Sequence, residues 1–226
     1  NSRWVLERAL RDHRMRVDET ALEAASRSLA VSLNPIANCG DLEQLRGLEG
    51  EAATRYFAVF DELILQNKDA FSFQGRNRRP PLDNINALLS LTYTLLSSDC
   101  AAALEGVGLD AYAGFLHRDR PGRASLALDL MEELRSVCAD RFVLSLINNR
   151  VVSPKGFTRR ESGAVIMDDD TRKVVLTAWQ NRKKEELTHP FLEEKILWGL
   201  VPFVQAMLFA RHLRGDLDAY PPFLWK

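Results

Sequence analysis

Apolar residues recur every three or four positions along most of this chain of 226 residues, which is the spacing of one face of an α-helix. The alternation with period two that marks a half-buried strand is confined to a short segment at 164–167, with 168–170 as its turn. The sequence therefore predicts an all-α, multi-helix domain with at most one short β-hairpin near 164–170.

Helix start and stop signals divide this pattern into segments. Thr20 followed by Glu23, and Asp41 followed by Gln44, have the spacing of capping boxes. Two consecutive prolines end the polar, basic loop 74–81. The predicted helices are 1–14, a second that opens at 20, then 41–65, 82–103, 109–116, 124–146, 171–187 and 190–214.

The formal net charge of −1 argues by itself against a nucleic-acid-binding surface. The arginines and lysines are nevertheless grouped, at 76–79, 118–123 and 155–160. Such groups are usually solvated faces, although they also occur where a protein follows a phosphate backbone. Composition thus permits a DNA enzyme without requiring one.

The cysteines and the N-terminal segment indicate a cytoplasmic protein. Cys39, Cys100 and Cys138 are odd in number and far apart, which fits neither a zinc-site pattern nor a disulfide framework. Reduced thiols are the simplest interpretation. No apolar run approaches the length of a membrane span, and residues 1–14 are too charged for a signal peptide. We therefore expect a cytoplasmic location and no membrane partner.

Glu49 occupies a position in the apolar stripe of the predicted helix 41–65. An ionised carboxylate removed from water is costly unless it is paired or binds a metal ion. Gly47 and Gly50 flank it, and each costs a helix about 1 kcal/mol relative to alanine, which favours a close approach of another backbone or a ligand. On this helix alone, an ion pair with a core arginine is the slightly better explanation. The stripe consists of Leu42, Leu45, Glu49, Ala52, Tyr56, Phe60 and Leu63.

A histidine and two acids complete the candidate ligands. His117 follows the apolar segment AYAGFL at a predicted helix end, where a histidine is more often a cap or a hydrogen-bonded core group. Asp129 and Glu132 stand three residues apart and so share a helix face, although neighbouring acids usually face solvent. Carboxylates and one imidazole together suit Mg²⁺ or Mn²⁺, and such a site can activate a hydroxyl and stabilise charge on a phosphoryl group.

Three sequence blocks closely resemble the signature blocks of the CRISPR-associated integrase family. They are LRGLEGEAATRYF (45–57), GRNRRPPLDNINALLSLTYTLL (75–96) and GFLHRDRPGRASLALDLMEELR (114–135), in the family's order. The ending YPPFLWK (220–226) resembles that of members from type I systems. The resemblance implies a prokaryotic, metal-dependent DNA nuclease and integrase, which inserts new spacers into a CRISPR array by phosphoryl transfer.

The resemblance also implies roles for individual residues. The family's metal ligands fall on Glu49 in GLEG, His117 in GFLH and Glu132 in DLMEE, a position where many relatives have aspartate. Asp129 matches a further acidic position beside the metal. These four residues form the expected catalytic set, with the metal held by the first three.

Positions that face DNA in the family fall on three further residues. Arg135 matches a basic position that faces phosphate, while Asn86 and Tyr93 match polar and aromatic positions near the site. An aromatic ring there could stack on an exposed base. Arg76 and Arg78, in the second block, are expected to contact DNA as well.

The family resemblance further implies the partners and the domain content. The expected substrates are prespacer DNA and the leader–repeat DNA of the array. A homodimer is expected for the full-length protein, together with a small ferredoxin-like CRISPR-associated partner protein. Family members begin with a β-rich domain, so residues 1–226 are expected to hold only the C-terminal helical catalytic domain.

Two other functions fit the same residues. A structure-selective nuclease of branched DNA in repair would use the same ligands on a different substrate. A helical scaffold whose ancestral site no longer binds metal is the alternative outside the enzymes. All three ligand types occur on their expected segments, which favours an enzyme.

Overall fold

The computed structural model describes residues 1–225 and confirms the all-α class, with 60% of the residues helical. A π-helical segment, Arg135–Asp140, joins α5 to α6, so the helix predicted at 124–146 continues without a break. Among the described residues the α-helices are α1 (Ser2–His13), α2 (Glu19–Ala37), α3 (Leu42–Ala58), α4 (Asn84–Gly106), α5 (Ser125–Leu134), α6 (Arg141–Asn148), α7 (Asp169–Lys183) and α8 (Val201–Leu213).

Side-chain caps determine where two of these helices begin. Asp41 caps α3, because its Oδ2 accepts a hydrogen bond from the Gln44 N–H at 3.0 Å. Helix α2 begins before Thr20, because Asp18 is the N-cap and accepts from the Ala21 N–H at 3.0 Å. A carboxylate at an N-cap satisfies a free N–H group and interacts favourably with the positive end of the helix dipole.

The first of two compact units contains residues 1–90 and 140–174. Within it, α1 packs against α2, and α2 packs against α3. The core at the end of α3 is an aromatic cluster whose ring centroids lie 5.0 to 5.9 Å apart. Burial of such rings anchors the C-terminal end of α3. The cluster consists of Tyr56, Phe57, Phe60 and Phe73.

The second unit contains residues 91–139 and, from 175 onward, the rest of the described chain. Within it, α5 packs against α8. The C-terminal tail is part of this core, since Phe223 is fully buried. Its ring contacts those of Trp198 and His189, with centroids 6.0 and 5.5 Å away. The tail therefore helps to hold the helices of this unit together.

Residues 1–225 contain two short hairpins, which corrects the predicted limit of one. Strand β1 (Phe157–Arg159) pairs antiparallel with β2 (Val165–Met167), so the strand predicted at 164–167 is confirmed. Its turn precedes the strand, at 160–164, and does not follow it at 168–170. Asp168 instead accepts a hydrogen bond from the Thr171 N–H (2.7 Å) at the start of α7, which makes that segment a helix start.

The second hairpin, β3 (Glu186–Thr188) with β4 (Lys195–Leu197), lies where the helix 190–214 was predicted to begin. His189 explains the difference, because its Nδ1 accepts hydrogen bonds from the N–H groups of Phe191 (3.3 Å) and Leu192 (3.2 Å). Its backbone closes the turn 189–194. Helix α8 starts after the hairpin, with Pro202 in its first turn, where a missing N–H costs little.

The helix predicted at 109–116 is a series of turns. Gly108, with φ of 81°, follows the end of α4. The Asp110 carboxylate accepts from the Tyr112 N–H at 2.9 Å, and Asp129 accepts from the N–H groups of residues 115–117. Side-chain acceptors thus replace the internal hydrogen bonds of a helix in this segment.

Helix α4 is, within the described residues, the one helix long and apolar enough to cross a membrane, with a mean hydropathy of 1.3 in its best window. The core helix of a globular protein meets the same criterion, and 44% of that window is buried inside the protein. Asp99 on α4 accepts hydrogen bonds from the Trp179 indole (3.2 Å) and the Lys183 ammonium (2.7 Å). We therefore interpret α4 as a core helix.

Asn148, at the end of α6, ties this helix to the segment that follows α3. Its Oδ1 accepts from the Leu65 N–H (2.7 Å), and its Nδ2 donates to the Leu63 carbonyl (2.9 Å). Asn148→Ala is expected to lower the free energy of unfolding by about 1–3 kcal/mol, because two backbone groups lose their partner. Urea denaturation measures the change. Asn149→Ala, at the exposed next residue, is the control, and an equal loss there would contradict the explanation.

Candidate active site

The Asp129 carboxylate on α5 gathers the GFLH segment around itself. Its Oδ2 accepts from the N–H groups of Phe115 (2.7 Å) and Leu116 (3.0 Å), and its Oδ1 accepts from that of His117 (2.9 Å). The Nδ1 atom of His117 lies 2.6 Å from the same Oδ1. Four donors thus occupy the two oxygens, so most of the acceptor capacity of Asp129 is used in holding residues 115–117.

Burial alone would raise the pKa of Asp129. The hydrogen bonds from His117 and from the backbone N–H groups of residues 115–117 outweigh burial and hold that pKa below its ordinary value. When the His117 ring carries a single proton, a carboxylate at this position favours the tautomer with that proton on Nδ1. Among residues 1–225, the Nε2 atom of His117 makes no hydrogen bond, so its lone pair remains available to a ligand.

Gly114 is required where the GFLH segment approaches α5. A Cβ added to this residue would stand 2.5 Å from the Cβ of Ser125 and 3.0 Å from the carbonyl oxygen of His117. Neither neighbour is the flexible end of a long side chain. A glycine at this position therefore allows the contact that brings His117 within reach of Asp129.

Glu132 lies one helical turn after Asp129 on α5. Each of its carboxylate oxygens is 2.9 Å from a guanidinium nitrogen of Arg135, which forms a two-point ion pair. The two side chains are only 21% and 15% exposed, so water screens the pair weakly. Arg135 was predicted to face DNA phosphate, and it lies here against a predicted metal ligand. Its DNA contact stays a prediction.

Glu49 lies on α3 in the first unit and is half-buried. The predicted stripe is buried towards its C-terminal end, at Tyr56, whereas Leu42 is 53% exposed. Around Gly47 and Gly50, no neighbouring heavy atom of the described residues lies within 4 Å of where a Cβ would stand. The close backbone approach predicted at these glycines is therefore not provided by residues 1–225.

The predicted ligands come from both units, with Glu49 in the first and His117 and Glu132 in the second. Within the chain up to residue 225, no group of three or more His, Cys, Asp and Glu side chains could hold a metal ion. The shared ligand role of the three residues stays a prediction. The contacts within the second unit establish only the arrangement of His117, Asp129 and Glu132 relative to α5.

The basic loop 74–81 is organised around Asn86, which is fully buried. Its Oδ1 accepts from the Arg76 guanidinium (2.7 Å) and the Asn77 N–H (3.0 Å). Its Nδ2 donates to the Gly75 carbonyl (2.9 Å) and the Asp83 carboxylate (2.6 Å). A side chain buried in this way shapes the loop, so an effect of Asn86 on DNA binding would be indirect.

The other residues predicted to bind DNA differ in exposure. Arg78 is exposed in the basic loop, whereas Arg76 is half-buried and also donates to the Ser90 hydroxyl at 3.3 Å. Tyr93 on α4 is half-buried. Arg78 is therefore the best placed of the three to reach a phosphate. Their contacts with DNA stay predictions.

A buried polar network around Glu133 was not predicted from the sequence. Its Oε1 accepts from the Tyr220 hydroxyl (2.5 Å), and its Oε2 accepts from Gln205 Nε2 (2.8 Å) and the Phe223 N–H (2.9 Å). Gln205 Oε1 in turn lies 3.0 Å from His189 Nε2. Burial raises the pKa of Glu133 despite these bonds. The network connects α5, α8, the β3–β4 hairpin and the C-terminal tail.

One signal in the sequence could have indicated this network. Glu132 and Glu133 are consecutive, so their side chains point about 100° apart on the helix and cannot share a face. Leucines at 130 and 134 flank the pair. If Glu132 faces the site, Glu133 is directed elsewhere and needs buried donors of its own.

The second unit thus presents a helical scaffold that holds an imidazole oriented by a carboxylate, an arrangement found in acid–base and metal chemistry. The profile of the family described as CRISPR associated protein Cas1 matches residues 1–181. A relative from Rhodospirillum rubrum, CRISPR-associated endonuclease Cas1 2, is 57% identical over 230 residues, which cover 100% of this chain and 67% of the relative. The chain belongs to the Cas1 family.

Solved structures share the fold. A casposase bound to integration product superposes with a TM-score of 0.80 at 23% identity, over 99% of this chain and 62% of the casposase, and this likeness shows the fold alone. A partial Cas6–RT–Cas1–Cas2 complex superposes with a TM-score of 0.79 at 25% identity, over 100% of this chain and 65% of that one. The chain spans about two thirds of the length of the curated relatives that it matches.

Asp129→Asn is expected to lower the free energy of unfolding by about 2 kcal/mol or more, because an amide nitrogen would face N–H donors. The folded-state pKa of Asp129 lies below its ordinary value. Its stabilisation is therefore complete above the unfolded-state pKa of about 4 and is lost as the pH falls through the folded-state pKa. Urea denaturation between pH 3 and 7 should show the difference from wild type shrinking below about pH 4. A difference that does not change with pH, or an equal loss in the exposed control Asp119→Asn, would contradict this.

Tyr220→Phe removes one donor from the buried Glu133 network. The expected loss is about 1–3 kcal/mol of unfolding free energy, because buried polar atoms lose a partner. The Phe223 N–H, which donates to the same carboxylate, should exchange its hydrogen faster as the tail loosens. Amide hydrogen exchange measures this protection. Tyr112→Phe is the control because Tyr112 is 53% exposed. Unchanged protection of Phe223 would show that the tail is held independently of Tyr220.

Proposed function

We propose that this chain is the catalytic part of a metal-dependent DNA endonuclease and integrase that inserts new spacers into a CRISPR array by phosphoryl transfer. The observation that carries the proposal is the pairing of His117 with Asp129 at 2.6 Å within the matching family block. Relatives that are 49–57% identical bear the name CRISPR-associated endonuclease. Strand transfer is the reaction that the family resemblance of the three sequence blocks implies.

The chemical type of the donors on the second unit supports a divalent metal ion. Metal-binding imidazoles commonly give their second nitrogen to a carboxylate, as His117 gives Nδ1 to Asp129. Glu132 adds a hard carboxylate of the kind that Mg²⁺ and Mn²⁺ prefer. We propose that His117 and Glu132 hold the ion together with Glu49. When bound, the ion would polarise the phosphate and make the attacking hydroxyl more acidic.

The chain's own residues would position the reacting groups and balance their charge. Asp129 stays ionised and fixes the orientation of the His117 ring, so the imidazole need not reorganise during the reaction. Arg135, beside Glu132, would offset negative charge on the phosphate. The 3′-hydroxyl oxygen of a prespacer forms a bond to the phosphorus at the leader–repeat boundary, and the bond to the leaving 3′-oxygen breaks. Positioning and charge stabilisation dominate such a transfer.

DNA binding in this proposal depends on the backbone more than on base sequence. Arg78, Arg76 and Arg135 would contact phosphates, and Tyr93 would lie near an exposed base. Contacts of this kind fix the position of DNA, while groove shape and deformability supply the preference for a particular junction. The net charge of −1 implies weak affinity that falls steeply with salt.

We propose a small ferredoxin-like CRISPR-associated protein as partner. The partial Cas6–RT–Cas1–Cas2 complex, one chain of which superposes on this chain, has Cas2 as well as Cas1 in its name. We further propose a homodimer for the full-length protein, a type I system and a location in a prokaryotic cytoplasm. The resemblance of the ending YPPFLWK to type I members supports the assignment to that system.

His117→Ala is expected to weaken Mn²⁺ binding at least about tenfold, since even residues behind metal ligands commonly have effects of 10–100-fold. Electron paramagnetic resonance of free Mn²⁺ gives the affinity. The same variant should abolish strand transfer between a prespacer oligonucleotide and a leader–repeat duplex. His13→Ala, an exposed histidine on α1, is the matched control and should bind and react as wild type does.

Further measurements distinguish the proposed integrase from the two alternative functions. Cleavage of a branched DNA junction without strand transfer into the repeat would indicate the structure-selective nuclease. Absence of Mn²⁺ and Mg²⁺ binding in the wild-type chain would indicate the scaffold. Strand transfer that persists in His117→Ala would remove His117 from the catalytic set.

A further inference from the structure

We infer that Phe115 is a stacking platform for an unpaired nucleobase of the DNA substrate. The inference rests on the proposed function, because it takes DNA to be the substrate bound beside His117. It adds a binding site two residues from the imidazole, and it specifies the ligand as a single-stranded base.

Phe115 is exposed and yet held in place. The residue is 58% exposed, while its N–H donates to Asp129 Oδ2 at 2.7 Å. The same carboxylate accepts from His117 through Oδ1, both from the backbone N–H (2.9 Å) and at Nδ1 (2.6 Å). The backbone beneath the exposed ring is therefore fixed relative to the imidazole by one carboxylate.

Other aromatic rings support Phe115 from the protein side. Its ring meets that of Phe209 on α8 edge to face, with centroids 5.8 Å apart and planes at 89°. Phe209 contacts the ring of Tyr220 in the same manner at 5.5 Å and 79°. The Tyr220 hydroxyl is bonded to Glu133, so this row of rings ends in the buried network. A ring supported in this way loses little conformational freedom when a base stacks on it.

The segment around Phe115 favours a nucleobase over an apolar protein surface. Residues 110–123 contain three arginines, at 118, 120 and 123, against two aspartates, at 110 and 119. Single-stranded DNA is bound where exposed aromatic rings accompany basic residues. The residues just after the ring support this choice, since Leu116 and His117 are half-buried and Arg118 is exposed.

The test compares two DNAs that differ only in an unpaired end. One is a duplex with a short 3′ overhang that carries 2-aminopurine, and the other is the fully paired duplex of the same sequence. Stacking of 2-aminopurine on an aromatic ring quenches its fluorescence. Phe115→Ala should weaken overhang binding about tenfold, given the usual contribution of one stacked base, and should remove the protein-dependent quenching. Binding of the paired duplex should change less than twofold.

Matched variants separate stacking from loss of structure. Phe115→Tyr keeps a ring and should retain both affinity and quenching. Tyr112→Ala removes another exposed aromatic residue of the same segment, one whose N–H bonds to Asp110 instead of Asp129, and should leave binding within twofold. Mn²⁺ affinity should be unchanged in Phe115→Ala, because Asp129 accepts from the backbone of residue 115 and not from its side chain.

Three outcomes would overturn the inference. Unchanged overhang binding and quenching in Phe115→Ala would show that no base stacks there. Equal losses for overhang and paired duplex, or in Tyr112→Ala, would show that the ring does not recognise an unpaired base. Association of the chain with itself or with a protein partner that Phe115→Ala abolishes, with DNA binding intact, would assign the ring to a protein interface. Failure of Mn²⁺ binding in the wild type would instead reject the proposed metal chemistry and leave the stacking result to stand.

Discussion

The acceptor capacity of one carboxylate determines most of the local structure at the candidate site. Asp129 offers two oxygens, and three backbone N–H groups and one ring nitrogen use them. These N–H groups donate to a side chain and not to backbone carbonyls of the preceding turn, and residues 115–117 form a bend. The position of the His117 ring beside Asp129 follows from that arrangement.

Helix α5 carries both the carboxylates of the candidate site and the buried carboxylate that holds the C-terminal tail. Asp129 and Glu132 belong to the candidate site, while Glu133 accepts from Tyr220, Gln205 and the Phe223 N–H. A disturbance of the C-terminal tail would therefore reach the site through a single helix. The buried carboxylate is tolerated because three donors surround it, which offsets part of the cost of removing it from water.

Periodicity and caps predicted the helices well where the hydrogen bonds are internal to the helix. The cap at Asp41 and the unbroken helix through 124–146 are examples. Two helix predictions were wrong. At 109–116 the N–H of Phe115 donates to Asp129, and after residue 190 the N–H of Phe191 donates to the His189 ring. Composition cannot reveal which side chain will compete with the helix, since that depends on packing. His117, Asp129 and Glu132 were predicted from their chemistry and from the family resemblance, and their shared role stays a prediction. For Glu133 the sequence offers only its place next to Glu132, and the donors that surround its carboxylate come from residues distant in the chain.

The ion pair between Glu132 and Arg135 bears on how the protein behaves when divalent ions are scarce. Small domains that depend on a structural ion unfold when it is removed, because binding of the ion supplies most of their folding free energy. Here a guanidinium already neutralises Glu132 at 2.9 Å, and Asp129 is satisfied by N–H donors. The second unit therefore supplies a counter-charge for Glu132 and hydrogen-bond donors for Asp129. Under the proposed function, the cellular concentration of Mg²⁺ or Mn²⁺ would determine the active fraction of the protein. It would not determine the folded fraction.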